Sequence, residues 1–219
     1  MDDGSRSAEE SIKMIGSYSD RITDVFLTPH FYAWREHPES FLERRKTAAE
    51  TLEKALDGRS KIRFHLGAEV AYFEGIHASE AMEKLRIGDT RLLLVEMPMR
   101  EWNERMIDEL VELNRNMGIR PVLAHIDRYG FAKWQKRRLF EYYLDNRGLV
   151  QVNADAILSP LTRRTVISMI RRGEIHFMGT DAHNTDTRKP NYDAALDRLI
   201  RSKAEDTIEY IGLNETKYI

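Results

Sequence analysis

Six short apolar runs, separated by longer helical patterns, constrain this chain more than any other feature. They are "TDVFLTPH", reaching His30; "KIRFHLGAEV", carrying Glu69; "RLLLVEMP", carrying Glu96; "GIRPVLAHIDRY", carrying His125 and Arg128; "GLVQVNAD", carrying Asn153; and "GEIHFMGTDAH", reaching Asp181 and His183. Each contains β-branched or aromatic residues and reads as a strand. Between them, "SFLERRKTAAETLEKAL", "EWNERMIDELVELNRNMGI" and "RRTVISMIRRGE" carry helical patterns, with Gly173 placed to stop the third. Strand alternating with helix predicts parallel β/α units.

The polar residues sit at or near the carboxyl ends of these runs. In a β/α barrel those ends converge on one face, which carries the active site. His30, Glu69, Glu96, His125, Asp181 and His183 are therefore expected to meet. Asp181 and His183 are alternate residues, so an extended segment would aim both the same way. Carboxylates and imidazoles without thiolates suit manganese, iron or zinc in a site that keeps water ligands. Two or more such ions clamping an oxyanion is a recurrent design for phosphoester hydrolysis.

Composition narrows this further. The chain has 219 residues and no cysteine, which fits one domain over residues 1–219 and a cytoplasmic home. It also excludes disulfides, thiolate metal sites and a phosphocysteine intermediate. A formal net charge of -2 gives no global basic field for nucleic acid. No apolar run approaches the roughly 18 residues of a membrane helix, and "MDDGSRSAEES" has no signal-peptide character.

Taken singly, many of these residues have ordinary explanations. His65 and His176 read as packed or surface histidines, and His37 and His77 as loop or helix-start residues. Asn153 and Asp155 suit helix caps as well as site residues. Arg128 has Asp127 beside it as a simple partner. "FLERRKTAAE" and "QKRR" read as solvated helix faces. "FYAWREHP", Phe31 to Pro38, either walls a pocket for an aromatic ring or packs against the barrel rim.

The order TPH, GAE, VEMP, AHIDRY, QVNA and TDAHNTDTR, with "DDGSRSAEES" in front, resembles the bacterial PHP-type tyrosine phosphatases of capsule and exopolysaccharide loci. PHP denotes the polymerase and histidinol phosphatase superfamily. The resemblance covers almost the whole chain, and its motifs are modest singly but specific in combination. It implies a distorted seven-stranded β/α barrel and two or three metal ions, often manganese. It further implies phosphotyrosine on a cognate bacterial tyrosine kinase as substrate. Carried over by residue, His30, Glu69, Glu96, His125, Asp181 and His183 become metal ligands, with Glu69 bridging. Arg128 and Arg188 become the phosphate-binding arginines.

One departure is large. The family opens with a strand ending in His-x-His shortly before "DDGS", whereas this sequence reads "MDDGS" from Met1. The first barrel strand and two ligands are thus expected to be missing. Two other functions remain open: a PHP phosphoesterase for a small metabolite such as histidinol phosphate, and a non-catalytic PHP-like binding module. Neither membrane insertion nor nucleic-acid binding is expected, and an oligomer is compatible with the sequence.

Overall fold

The structure is a computed structural model that describes residues 3–58, 60–99, 102–129 and 134–218. Met1 and the first residue of the second helical pattern, Glu101, lie outside them. The short apolar runs do form strands: β1 (Asp24–Leu27), β2 (His30–Phe31), β3 (Arg63–Leu66), β4 (Glu69–Ala71), β5 (Leu92–Glu96), β6 (Arg120–Leu123), β7 (Leu149–Asn153) and β8 (Phe177–Gly179). The first two runs are each broken in two. Pro29 has no N–H to give to a ladder, and Gly67 interrupts the second run between β3 and β4.

All pairings are parallel. β1 pairs with β3, and β2, β4, β5, β6, β7 and β8 follow one another in a six-stranded sheet. The result is a curled half-barrel. The seven-stranded closure of the family does not occur among the described residues, in keeping with the first strand expected to be missing. β1 and β8 are not paired there, and a cavity of about 530 Å3 lies between them. Apolar Phe26, Leu92, Val122 and Phe177 line its inner part, and His30, Glu69, Asp181 and His183 lie on it too.

The helices are α1 (Ala8–Ile15), α2 (Pro38–Leu56), α3 (Met82–Leu85), α4 (Glu104–Met117), α5 (Trp134–Asp145), α6 (Ala154–Leu158), α7 (Arg163–Arg171), α8 (Tyr192–Arg201) and α9 (Glu205–Tyr218). Local chemistry sets their ends. Asn103 accepts the Met106 amide at 3.0 Å to cap α4, and Gly118 closes it at a positive φ of 65°. Gly173 follows α7 with φ 72°, the stop read in the sequence. The buried face of α4 carries Met106, Ile107, Leu110, Val111 and Leu113, which join Phe41, Leu93, Trp102 and Phe140 in the main core. Burying each such side chain stabilises the fold by roughly 1.5–3 kcal/mol before entropy is counted.

Two of the basic stretches are less solvated than expected. Arg45 donates to the Gly67 and Lys84 carbonyls at 2.8 and 3.2 Å, tying α2 to the strand break. Arg137 of "QKRR" holds Glu174 at 2.7 and 3.1 Å, and Arg172 grips the same carboxylate at 2.8 and 2.9 Å. Burial alone would raise the Glu174 pKa, but the hydrogen bonds from Arg172 and Arg137 outweigh it and hold it at about 2. An unfolded Glu ionises near about 4.3. The folded pKa is the lower one, so the clamp's contribution is complete above the unfolded value and is lost as pH falls toward 2. Glu174→Gln should therefore melt below the parent protein at neutral pH, and the gap should close on acidification. Thermal melts of both proteins across that range check this.

Candidate metal and phosphate site

Register brings the first candidate ligands together. β2 pairs with β4 so that His30 faces Glu69, and β4 pairs with β5 so that Ala71 faces Glu96. His125 follows β6, whose Leu123 is paired with Val95. Its Nε2 lies 3.0 Å from Glu69 Oε1 and 3.3 Å from Glu96 Oε1. His30 Nδ1 is 4.0 Å from that same Glu69 oxygen. Donor atoms of His30, Glu69 and Glu96 all lie within 4.8 Å of one another.

A second group adjoins the first. His183 Nε2 is 3.2 Å from Asp3 Oδ1, and His30 Nε2 is 3.6 Å from it. Asp3, His30 and His183 thus form another set with donors within 4.8 Å. Sequence reading had not singled out Asp3; the "DDGS" stretch entered only through the resemblance. Nothing local marks it, because its place depends on tertiary contacts with His30, His183 and Arg188.

Asp181 belongs to neither of these donor sets among the described residues. Arg128 binds its Oδ2, Arg188 binds its Oδ1 at 2.5 Å, and Asn153 Nδ2 donates to Oδ2 at 3.2 Å. Nor is the Asp-x-His segment extended. β8 ends at Gly179, and Asp181 has φ 51°, so the two side chains do not share a strand face. The His183 ring is held by the Asp181 carbonyl at 2.9 Å instead. His125 also has a positive φ, 33°. Non-glycine residues in this region carry backbone strain and cluster at functional sites.

The electrostatics follow from this packing. Burial would lower the His125 pKa, but hydrogen bonds to Glu69 and Glu96 raise it to about 9. The hydrogen bond to His125 holds Glu96 below the usual carboxylate range. Burial pushes Asp181 up, yet Arg128 and Arg188 bring it below its ordinary value. Glu69 is 6% exposed and His125 1%, so this is buried charge that requires compensation.

Supporting groups fix the loops. Gln151 Oε1 accepts the His125 amide at 2.5 Å, and Asp127 Oδ1 accepts the Asn153 amide at 2.9 Å. Asn153 begins α6 without a side-chain cap bond, so its amide works at Asp181 rather than as a cap. Asp155 accepts a bond from Asn191 at 2.6 Å. His65 binds Asp24 at 2.7 Å, and His77 lies near Glu109 and Glu112. His37 begins α2 without a side-chain cap bond. Tyr32 stacks on His30 with ring centres 5.6 Å apart, Trp34 lies 5.2 Å from Tyr32, and Trp34 is 62% exposed. Phe31, which ends β2 just before it, packs into the core, so this stretch serves both the rim and the interior.

The donors fit a borderline or hard cation. Two carboxylates and two imidazoles converge, with no sulfur. Glu69 and Glu96 draw on a single imidazole, and His125 Nδ1 is buried with no hydrogen-bond partner among the described residues.

Tyr129 braces the floor. Its hydroxyl accepts the Met97 amide at 2.9 Å, directly after Glu96, and its ring abuts His125 at 5.5 Å. Tyr129→Phe leaves that buried N–H without a partner and should cost about 1–3 kcal/mol. Chemical denaturation of the variant checks the loss; unchanged stability would mean the Met97 amide finds another partner.

The family model described as capsular polysaccharide synthesis, CpsB/CapC, matches residues 1–219. Tyrosine-protein phosphatase CpsB of Streptococcus pneumoniae is 28% identical, the match spanning 92% of this chain and 86% of that relative. Tyrosine-protein phosphatase YwqE of Bacillus subtilis is 26% identical over 90% of this chain and 78% of its own. A solved structure from work on YwqE and CpsB, described as unique metal-dependent tyrosine phosphatases, superposes with a TM-score of 0.77. That match has 21% identity and covers 96% of this chain and 90% of the other, which supports a shared fold.

Proposed function

Because the chain belongs to the CpsB/CapC family of capsular polysaccharide synthesis, we propose that it is a metal-dependent hydrolase of protein phosphotyrosine, acting on a cognate bacterial tyrosine kinase in the cytoplasm. The observation that carries this reading is the meeting of His30, Glu69 and Glu96, donors within 4.8 Å of one another, beside two arginines. The named relatives are tyrosine-protein phosphatases, and the resemblance of motifs points the same way.

His30, Glu69, Glu96 and His125 would hold one ion; His183, Asp3 and Asp181 adjoin a second. Manganese is the ion we assign, with iron or zinc also suited to these donors. Such an ion supplies a water of lowered pKa and offsets phosphate charge.

The chain's own residues do the rest. Arg128 and Arg188 hold the phosphate oxygens, because each guanidinium keeps several N–H donors and stays charged. Asp181 orients both forks beside the cluster. Asn153 and Asp127 keep this arrangement in register. Tyr32 and Trp34 wall the space beside His30 where the substrate ring lies. With no cysteine the chain has no phosphocysteine route. We assign attack by water on phosphorus, which breaks the P–O bond to the tyrosine ring. The water gives up a proton and the phenolate gains one, with charge building on oxygens that the arginines face. No helix among the described residues is long and apolar enough to cross a membrane.

Exposed Trp34 and Met99, just beyond β2 and β5, give the mouth an open apolar rim. This favours a protein-borne phosphotyrosine over a small metabolite.

Hydrolysis of a phosphotyrosine peptide should require added manganese and stop on chelation. Glu69→Gln should lower turnover by more than about 100-fold, the upper range for groups that merely support a ligand. Arg128→Ala or Arg188→Ala should raise KM or lower kcat, with melting temperature little changed. Faster hydrolysis of histidinol phosphate would replace the substrate assignment. Absence of metal-stimulated hydrolysis of either substrate would contradict the enzyme reading in favour of a binding module.

A further inference from the structure

A second polar cavity, of about 380 Å3, lies at the opposite end of the sheet. Arg120, the first residue of β6, and Leu149, the first of β7, line it together with His176, which precedes β8. Arg147 comes from the turn after α5, and Lys217 and Tyr218 from the end of α9. Arg120 and His125 are five residues apart, so the cavity and the metal-ligand cluster are separated by about 17 Å of extended chain.

Its chemistry is one-sided. Three cationic side chains surround it, and no carboxylate is among the described lining residues. Arg120 Nε and His176 Nδ1 are buried and have no hydrogen-bond partner among the described residues. Nature normally satisfies such atoms. Arg120 lies over the Tyr218 ring at 4.5 Å and Lys217 at 4.9 Å, so both cations rest on an aromatic face rather than on an acid. Arg120 also donates to the Arg147 carbonyl at 3.3 Å, which fixes its direction.

Two titrating groups register the excess charge. Burial lowers the His176 pKa, and Arg120 and Lys217 push it further, to about 4. Burial would raise the Tyr218 phenol, but Lys217 and Arg120 outweigh it and hold it below its ordinary value.

From this cavity, its three cations and its two orphaned nitrogens, we infer that the amino end of the sheet is a second anion site for a small polyvalent oxyanion of the phosphate or diphosphate class. Arg120, Arg147 and Lys217 supply the charge, and neutral His176 supplies a ring nitrogen to a phosphate oxygen or hydroxyl. The site is independent of the phosphatase reading, because none of its residues belongs to the metal or phosphate-binding cluster.

Backbone amide spectra of the metal-free protein, titrated with sodium phosphate, diphosphate and, at equal ionic strength, chloride, provide the test. Gly148 and Gly173 line the cavity and report on it. Their signals should shift saturably with phosphate, at lower concentration with diphosphate, and not with chloride. The double variant Arg120→Met with Lys217→Met should lose the response while retaining phosphotyrosine hydrolysis. Should that protein fail to fold, Arg147→Met serves in its place, since that side chain is exposed and makes none of the contacts above; it should weaken the response at least several-fold. Linear, non-saturating shifts, equal shifts with chloride, or a response unchanged in the variants would overturn the site. So would the lack of any shift, as when the chain's own carboxylates already fill it.

Discussion

Glu69 and Glu96 share one imidazole, and much of the rest of the structure can be understood from that sharing. The two carboxylates come from neighbouring strands, and His125 from the strand beyond, so only parallel register delivers all three to one place. Buried carboxylates are costly unless compensated. Here the compensation is concentrated on a buried histidine in a left-handed backbone conformation, held by Gln151 and braced by Tyr129. A cluster that packs acids so closely is suited to a multivalent cation, and the sheet's parallel order is what makes the packing achievable.

The neighbouring polar layer has a different logic. Asp181 gathers Arg128, Arg188 and Asn153 from three separate segments. A carboxylate gripped by two guanidiniums is a strong, directional contact. It orients the cationic forks beside the acidic cluster. The two halves of the site therefore keep opposite charge a short distance apart, as cleavage of a phosphate ester on a metal centre requires.

Much of this was legible in the sequence. Strand identity followed from the apolar runs, and site position followed from polar residues at their ends, because parallel β/α units bring those ends together. Gly173 and the absence of cysteine were equally plain. Three features were not legible. The breaks at Pro29 and Gly67 split runs that looked continuous, so His30 and Glu69 begin short strands rather than ending long ones. The left-handed turn at Asp181 depends on its tertiary partners, which no local propensity encodes. Asp3 joins His30, His183 and Arg188 only through long-range contact. The open wall between β1 and β8, by contrast, agrees with the first strand that the sequence was expected to lack.

The central claim is that His30, Glu69, Glu96 and His125 surround a metal ion. Crystals of the protein grown with manganese, measured at wavelengths on either side of the manganese absorption edge, test it most directly. The account predicts an anomalous peak bonded to His125 Nε2 and to carboxylate oxygens of Glu69 and Glu96, with His30 adjoining. A well-ordered crystal whose manganese lies elsewhere, with His125 still bridging the two glutamates, would contradict it.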